Sequence, residues 1–547
     1  MATVLPAPNK KQIEAAAAAE VNRVQSLQIP PDSGSIRLQF QSSQSGAQTG
    51  TQITLPVADS SPRNLESILN NLLSYDASSK QPFTFLLLHP QTGAEIPINL
   101  SIYHSVLQQR IFTTEDVLTL RYTPQAVFRV KSVTRCSSSI SGHGSAILCT
   151  QFAPHTSSRM ATGSGDNTVR IWDTDTDTPV STLKGHTGWV LVVSWSPEGH
   201  LLATGSMDNT GRLWDPKTGE PIGQPLRGHS KWLTSLAWEP FHLQHSPSSP
   251  LLATASKDAT IRIWNTSLQR TEIALSGHKS SITSIRWSGQ DHLYSASQDR
   301  TIKIWDPRSG RLLSTLSTHS HWVNHLALST DHILRTSYHS PEPSKLPPPS
   351  SPAERRARAL ARWKAAATHD GTLVERLASA SDDFTLFLWH PNLHGHLSSG
   401  TGVQPILPVQ RLLGHQKAIN HVSFSPDGRL LASASFDSSI RIWAAAAGGQ
   451  YLFTLRAHVG SVYQCCFSAD SRLLVSASRD TTVKVWDVTG VGEKRGGSGK
   501  AGTGKAGSRL VNDLPGHRDE VFAVDWSCDG EKVASGGKDR AVRLWKH

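Results

Sequence analysis

The sequence predicts a mainly β protein in which eight copies of a four-stranded repeat follow a small α+β domain. The first observation is a motif of Ser or Thr, Asp four residues later and Trp six residues after the Asp, which recurs from Thr162 onward. The second is a His upstream of every copy, usually preceded by Gly. The third is a different pattern over residues 36–122, where strand-like segments flank one helix-like segment.

Each repeat contains a His, a hydroxyl residue, an Asp and a Trp. We expect the Asp to accept a hydrogen bond from the His, the His to reach the hydroxyl, and the hydroxyl to meet the indole N–H, because such a closed network leaves no buried donor unpaired. Catalytic sets also combine Ser, His and Asp, but eight copies at fixed spacing indicate architecture. In chain order the sets are His143/Thr162/Asp166/Trp172, His186/Thr204/Asp208/Trp214, His229/Thr254/Asp258/Trp264, His278/Ser295/Asp299/Trp305, His319/Ser379/Asp383/Trp389, His415/Ser433/Asp437/Trp443, His458/Ser476/Asp480/Trp486 and His517/Ser535/Asp539/Trp545.

These repeats resemble the WD-repeat (WD40) family, and the resemblance implies an eight-bladed β-propeller over residues 125–547. The last repeat stops at His547, too soon after Trp545 for a fourth strand in its blade. We therefore expect an earlier segment to complete that blade and close the ring without an open sheet edge. The alternating apolar and polar residues of Ala126–Val133 make this segment the predicted donor.

Long insertions are predicted at residues 240–250, 330–374, 391–408 and 488–508. All fall between the first and second or the third and fourth strands of a blade, on what we call the lower face. The propeller insertions at 340–374 and 488–508 are basic. Gly499–Lys505 nearly matches a nucleotide-binding loop, but Ala506 stands where Ser or Thr is needed for magnesium, so we interpret the segment as a linker.

A basic helix is predicted within the first of these insertions, at Ala353–Ala367, after a Pro-rich stretch at 340–352. It also carries Trp363. We predict that it contacts RNA phosphates; a solvated helix without a partner is the alternative, since charge alone is weak evidence. The residues assigned to RNA binding are Arg355, Arg356, Arg358, Arg362 and Lys364.

The opposite, upper face carries the His-bearing loops and the Asp turns. Three residues after the His, three blades have Trp189, Trp232 and Trp322, whereas the others have Ala, Ser or Glu. Blade packing therefore does not require Trp here, and exposed Trp is typical of interfaces. Packing over the central channel is the alternative. The residues before the Asp face the same way, and those assigned to partner binding are Lys257, Arg479 and Lys538.

The N-terminal part is predicted to comprise an extension, partly disordered, at residues 1–34 and a domain at 35–124. The domain shows strands at 36–40, 51–57, 83–88 and 117–122 and a helix at 64–75. Leu65, Ile68, Leu69 and Leu72 give this helix one apolar stripe. The order resembles the β-grasp, ubiquitin-like fold. No Gly-Gly tail follows, because Thr123 and Pro124 lead into the propeller, so we predict a docking module, not a conjugated modifier.

This domain and eight repeats, with the segments 112–124, 133–135 and 141–145, are similar to the Notchless family of ribosome-assembly factors. The resemblance implies a non-catalytic assembly factor of the large (60S) ribosomal subunit, in the nucleolus and nucleus. Its propeller would sit on the pre-60S particle, in contact with rRNA, ribosomal proteins and other assembly factors, while its N-terminal (NLE) domain would engage the AAA ATPase midasin. It further implies that Glu115 completes the Mg²⁺ site of midasin's metal-ion-dependent adhesion site, which suits a hard oxygen ligand.

Neighbouring Asp116 is the alternative to Glu115, and a solvated acidic turn is another. We therefore expect no cofactor of the chain's own, only Mg²⁺ shared with the partner ATPase, and a monomer within a large particle. A WD-repeat adaptor in ubiquitin signalling is the alternative function. An enzyme is disfavoured, because no cluster of carboxylates, metal ligands or nucleophile and base remains once the repeat networks are set aside.

The composition fits this interpretation. The formal net charge of +11 and pI near 9.5 favour polyanionic surroundings. Five cysteines without paired spacing indicate neither a zinc site nor a complete disulfide framework. The longest apolar runs, such as Phe85–Leu88, have strand length, so no membrane span is predicted. The first residues lack the apolar stretch of a secretory signal, and we expect the protein to stay inside the cell.

Overall fold

A computed structural model describes residues 34–42, 48–60, 62–73, 83–88, 95–98, 102–103, 117–124, 130–244, 249–339, 349, 351–369, 372–390, 406–488 and 509–546. The chain divides into two compact units, Met1–Val127 and Phe128–His547. The predicted N-terminal extension at 1–34, apart from Gly34, and most of the insertion segments 340–352, 391–408 and 488–508 lie outside the described residues.

The first unit contains one mixed sheet and a helix that packs on it. Its strands are β1 (Ser35–Ser42), β2 (Gln48–Pro56), β3 (Phe83–Leu88), β4 (Glu95–Pro97) and β5 (Val117–Pro124), and its helix is α1 (Pro62–Leu72). The order is β2-β1-β5-β3-β4, with β1 and β5 parallel. Leu65 and Leu69 of α1 are fully buried against the sheet. The predicted β-grasp domain is confirmed.

The second unit is a ring of eight antiparallel blades, which confirms the predicted propeller. Blade 2 has three continuous strands, and two isolated bridges, Gly211–Leu226 and Trp214–Pro221, stand in place of the fourth. From the inside outward the strands are Ile147–Phe152, Arg159–Ser164, Val169–Asp173 and Thr178–Leu183 (blade 1); Val190–Trp195, Leu202–Ser206 and Gly211–Trp214 (blade 2); Leu233–Trp238, Leu251–Ser256, Thr260–Asn265 and Arg270–Ser276 (blade 3); Ile282–Trp287, Leu293–Ser297, Ile302–Trp305 and Leu312–Leu316 (blade 4); Val323–Leu328, Leu377–Ser381, Leu386–Trp389 and Gln410–Leu412 (blade 5); Ile419–Phe424, Leu430–Ser435, Ile440–Ala444 and Gln450–Leu455 (blade 6); Val462–Phe467, Leu473–Ser478, Val483–Asp487 and Leu510–Leu514 (blade 7); and Val521–Trp526, Val533–Gly537, Ala541–Lys546 and Arg135–Ser141 (blade 8).

The core lies between neighbouring blades. The second strands have small or branched residues and are buried along most of their length, as in Leu202–Ser206. Apolar side chains of one blade pack against those of the next; Ile147 and Phe152 of blade 1, for example, contact a cluster that includes Val542 and Leu544 of blade 8. Each blade therefore depends on its neighbours for burial.

The ring closes through an N-terminal strand, as predicted, but the predicted donor Ala126–Val133 was wrong. Arg135–Ser141 pairs with the last strand, from Ala541 opposite Ser141 to Lys546 opposite Arg135. In the complete blades the fourth strand ends two or three residues before the next His, and Arg135–Ser141 has this spacing from His143. The described end of the predicted donor instead packs beside blades 7 and 8 through Val130 and Val133.

Two helices belong to the insertion of blade 5, on the lower face: α2 (Asp331–Thr336) and α3 (Pro352–Ala367). A short hairpin, Thr368–His369 with Thr372–Leu373, returns the chain to the blade. The helix α3 begins with a capping box, in which Ser351 accepts from the Glu354 amide and Glu354 accepts from the Ser351 amide. Helix formation at this place confirms the sequence-based prediction.

Candidate partner-binding surfaces

The predicted hydrogen-bond network is present in all eight blades. The His Nδ1 to Asp distances are 2.8–3.0 Å, and those from His Nε2 to the hydroxyl are 2.7–2.8 Å. The indole N–H donates to the same hydroxyl at 2.7–3.0 Å. The His side chains are buried in every blade, as expected of groups that hold the strands together.

Hydrogen bonding also sets the charge state of the network. Burial by itself raises the pKa of the Asp208 carboxyl, but donors from His186, Thr210 and the Thr187 amide outweigh it and hold the pKa well below its usual range. In blade 1, burial lowers the pKa of His143, and its bond to Asp166 offsets only part of that effect. A neutral imidazole beside a carboxylate is the favoured state, which suits a structural role.

On the upper face, the three predicted tryptophans are exposed. Trp189 is 51%, Trp232 41% and Trp322 45% exposed, so these rings are not packed away over the central channel. The Lys257 ammonium lies 4.6 Å from the Trp232 ring centroid. Such amphipathic rings are well suited to an interface, because they bury a large area with few rotatable bonds.

The other two predicted cations of the upper face have acidic neighbours. Arg479 Nε lies 3.3 Å from a Glu520 oxygen, and Lys538 Nζ lies 3.6 Å from Asp519. Both cationic side chains are more than half exposed. Exposed pairs of this kind contribute little to stability, so they can exchange for contacts with a partner.

On the lower face, Trp363 anchors α3 to the propeller. Its side chain is buried, its indole N–H donates to Glu375 Oε1 at 2.6 Å, and its ring stacks on His242 with centroids 5.0 Å apart. Glu375 also accepts from the Gly289 amide and the Thr330 hydroxyl. Trp363 therefore holds the basic helix in place and faces the propeller rather than a surface that RNA could reach.

The predicted RNA-binding side chains of α3 differ in their surroundings. Arg362 donates to the carbonyls of Ser337 and His339, so it is tied to the chain beneath the helix. Arg355 lies 3.6 Å from Glu198 and over the ring of Tyr338. Lys364 is exposed, whereas Arg356 and Arg358 are half-buried, as Arg355 and Arg362 are.

The helix α2 reaches into the central channel, which sequence reasoning did not predict. Arg335 donates to both oxygens of Asp525 in blade 8 and to the Phe152 carbonyl of blade 1. The channel forms a cavity of about 650 Å³ lined by the innermost strands and α2. Contacts between residues 190 positions apart have no local sequence signal.

A stacked imidazole pair, His325 and His421, also faces this cavity, with ring centroids 4.2 Å apart. Arg286 donates to His325 Nε2 at 3.0 Å. Burial, with the charge of Arg286, lowers the pKa of His421 to about 3. Burial also lowers the pKa of His325 well below its usual value, so both rings are neutral beside Arg286.

The predicted metal-reaching Glu115 and its neighbour Asp116 lie outside the described residues. Within the described part of the chain, no group of three or more His, Cys, Asp or Glu side chains could hold a metal ion. No helix in that part is long and apolar enough to cross a membrane.

The chain matches two family models. The NLE (NUC135) domain matches residues 36–101, and the WD domain, G-beta repeat, matches seven ranges: 134–173, 177–215, 219–265, 268–306, 407–444, 449–487 and 508–546. The fifth blade, which carries the long insertion, lies between two of these ranges. A crystal structure of the computationally designed Ika8 protein has the same fold, with a TM-score of 0.54, 22% identity and coverage of 76% of this chain and all of that one.

Curated relatives resemble most of the chain. Ribosome assembly protein 4 of Saccharomyces cerevisiae is 47% identical over 81% of this chain and 83% of its own length. Protein Notchless of Drosophila melanogaster is 42% identical over 71% and 74%, respectively. The Notchless protein homolog of Arabidopsis thaliana is 42% identical over 76% and 81%. An NLE domain followed by a WD-repeat propeller, at this level of identity, places the chain in the Notchless and Ribosome assembly protein 4 family.

Proposed function

We propose that the protein is a non-catalytic assembly factor of the large (60S) ribosomal subunit, working in the nucleolus and nucleus. The observation that carries this proposal is the 47% identity to a protein named Ribosome assembly protein 4 over most of both chains. The burial of all eight His imidazoles in structural networks supports a scaffold rather than an enzyme.

The propeller offers the particle two different surfaces. The upper face presents exposed aromatic rings beside Lys257 and is suited to a protein partner. The lower face presents α3, which Trp363 fixes as a rigid basic ridge and which is suited to RNA phosphates. A rigid helix costs less ordering entropy on binding than a flexible tail, which favours this assignment.

Charge reversal in α3 tests the RNA contact. Replacing Arg355, Arg356 and Arg358 with Glu should weaken binding to pre-60S particles. The slope of the logarithm of the binding constant against the logarithm of the salt concentration should become shallower by roughly 0.7–0.9 per lost phosphate contact. A control for the change in net charge replaces three exposed arginines elsewhere, Arg270, Arg311 and Arg472, with Glu. If the α3 variant keeps the wild-type salt slope, α3 does not bind RNA.

For the N-terminal domain, we propose that it couples the particle to the AAA ATPase midasin. Glu115 would contribute one carboxylate to the Mg²⁺ in midasin's adhesion site, which suits the preference of Mg²⁺ for oxygen ligands. One carboxylate is sufficient because the metal remains on the partner. Force from ATP hydrolysis would then pass through this bond and release factors from the particle.

A WD-repeat adaptor in ubiquitin signalling is the alternative function, favoured by the ubiquitin-like order of β1–β5 and α1. Affinity purification of the tagged full chain separates the two. Ribosomal proteins and large-subunit rRNA in the eluate would support the assembly role. Cullins or proteasome subunits without rRNA would contradict it.

A further inference from the structure

A pocket of about 370 Å³ lies on the lower face between blades 1 and 2. Its lining comes from the strand connections at His155, Gly199 and His200, from the turn at Lys217, and from Arg159 at the start of a strand. The volume falls within the range of roughly 300–1,000 Å³ usual for small-ligand sites. No role in blade packing requires so many basic side chains around one opening.

The floor of this pocket is apolar. Trp195 is 6% exposed, and its indole N–H already donates to the Gln151 carbonyl at 3.1 Å, so the ring offers the pocket carbon surface. Buried Pro216 also lines the pocket. The imidazole of His155 lies over Gly199, where any Cβ would collide with it, so glycine keeps the ring in this position.

The rim carries two cations, Arg159 and Lys217, and one further imidazole, His200. Lys217 and His200 are exposed, and Arg159 is half-exposed. Two carboxylates lie close to these cations: Asp215 accepts from the Lys217 amide, and Asp173 accepts from the amides of its own turn and stands opposite Arg159, so both offset part of the positive charge. Burial, then the charges of His200 and Lys217, lowers the pKa of His155, so this ring is mainly neutral and can stack.

The insertion of blade 5 extends the same surface. His339, just before the Pro-rich segment, lies 5.4 Å from His155 between ring centroids. Arg355 of α3 lies 3.6 Å from Glu198 in the connection that also supplies Gly199 and His200. A strand that follows the basic α3 ridge would therefore reach the pocket past Glu198, whose carboxylate is paired with Arg355.

We propose that this pocket binds one unpaired nucleotide of an RNA strand, with the base against the exposed His155 ring above the apolar floor and the phosphates on Arg159 and Lys217. An apolar, aromatic floor under a cationic rim is the combination that proteins use for single-stranded nucleic acid, because every base has a face to stack and every link carries a charge. An exposed imidazole beside two cations favours a base with its phosphates over an acidic protein segment, which offers no base to stack. Only the source of the RNA depends on the proposed assembly role; the binding of a nucleotide in the pocket does not.

Fluorescence anisotropy of the full chain with a fluorescein-labelled decauridylate tests the pocket. Replacing Arg159 and Lys217 together with Glu should weaken binding by about tenfold or more and reduce the salt slope by roughly 0.7 per lost phosphate contact. Replacing His155 with Ala should weaken binding by about fivefold with an unchanged salt slope, since it removes stacking and no charge.

The matched control reverses two arginines on the lower face of blades 6 and 7, Arg429 and Arg472, and should bind within about twofold of wild type. The pocket proposal is overturned if the pocket variants bind the decauridylate like wild type, or if the control loses as much affinity. Sedimentation of the same variants with pre-60S particles tests the assembly role independently of the nucleotide pocket. Pocket-dependent RNA binding by a chain that never joins a particle would refute the assembly role alone.

Discussion

Removal of the Trp363 side chain should release α3 from the propeller while the ring stays folded. The indole is buried, donates to Glu375 and stacks on His242, so it is the main anchor of a helix that belongs to no blade. The blades keep their own networks in its absence. We therefore expect Trp363→Ala to affect the free energy of helix docking and not that of ring closure.

The magnitude follows from these contacts. Truncation of a buried aromatic side chain to Ala costs about 3–5 kcal/mol. Trp363→Phe removes the hydrogen bond and part of the ring but keeps an aromatic side chain in place, so it should cost less, about 1–2 kcal/mol, since Glu375 keeps its donors from Gly289 and Thr330. At about 1.4 kcal/mol per factor of ten, local opening becomes at least a hundredfold more frequent in the Ala variant.

Amide hydrogen exchange measured by mass spectrometry is the assay. Peptides from Pro352–Ala367 should exchange at least about a hundredfold faster in Trp363→Ala, about tenfold faster in Trp363→Phe and at the wild-type rate in the exposed control Lys364→Ala. Peptides from Ile419–Phe424 should not change. Unaltered protection of α3 in Trp363→Ala, or equal loss of protection throughout the ring, would refute this reasoning.

Four further predictions concern other parts of the molecule. Asp208→Ala should lower the free energy of unfolding by about 1–3 kcal/mol in denaturant titrations, because it leaves the buried His186 donor unpaired; an unchanged midpoint would contradict the network's role. The folded-state pKa of Asp208 is depressed, so its contribution is complete above the ordinary carboxyl pKa and lost as the pH falls below it; the stability difference between wild type and Asp208→Ala should shrink in acid, and a constant difference would be the contrary result. Replacing Trp189, Trp232 and Trp322 together with Ala should leave the far-UV circular dichroism unchanged and abolish one partner in affinity purification; an unchanged partner set would rule out this surface. Glu115→Asp keeps the charge but shortens the side chain by one methylene, so we expect loss of Mg²⁺-dependent binding to midasin's adhesion-site domain and a dominant block of pre-60S maturation; undiminished affinity would make the assignment wrong.

The repeat architecture could be predicted because its motif is contained within each repeat and recurs eight times along the chain. Each set of His, hydroxyl, Asp and Trp lies within one repeat, and the measured network in blade 2 is the one expected from spacing alone. Solvent exposure of Trp189 could be predicted by the same comparison, since most other blades have smaller residues at that position. The eight repeats can be compared with one another position by position, and a motif that occurs once does not allow this comparison.

The closing strand was misplaced because two segments competed for one role. Ala126–Val133 alternates apolar and polar residues, whereas Arg135–Ser141 is rich in Ser and has a weaker pattern. Distance to the following His identifies the true strand, and that distance depends on blade geometry rather than on hydrophobicity. The spacing from the following His was therefore a better guide to the closing strand than the composition of the two segments.

The lower face contains the features that sequence reasoning missed. Arg335 meets Asp525, and His155 meets His339, only because the insertion of blade 5 crosses beneath the ring. Neither residue pair has a spacing that indicates contact. Trp363 also looked like part of an RNA-binding helix, and only its burial shows that it faces inward. Positions set by such long-range packing require the folded chain.

Sucrose-gradient sedimentation of the tagged full chain, from cells that are actively making ribosomes, tests the assembly role most directly. We expect the protein to sediment with large-subunit precursor particles together with their rRNA, and ribonuclease treatment to return it to the light fractions. It would be contradicted if the protein remained at the position of a free 59.4 kDa chain in every gradient, with no large-subunit precursor rRNA in its fractions.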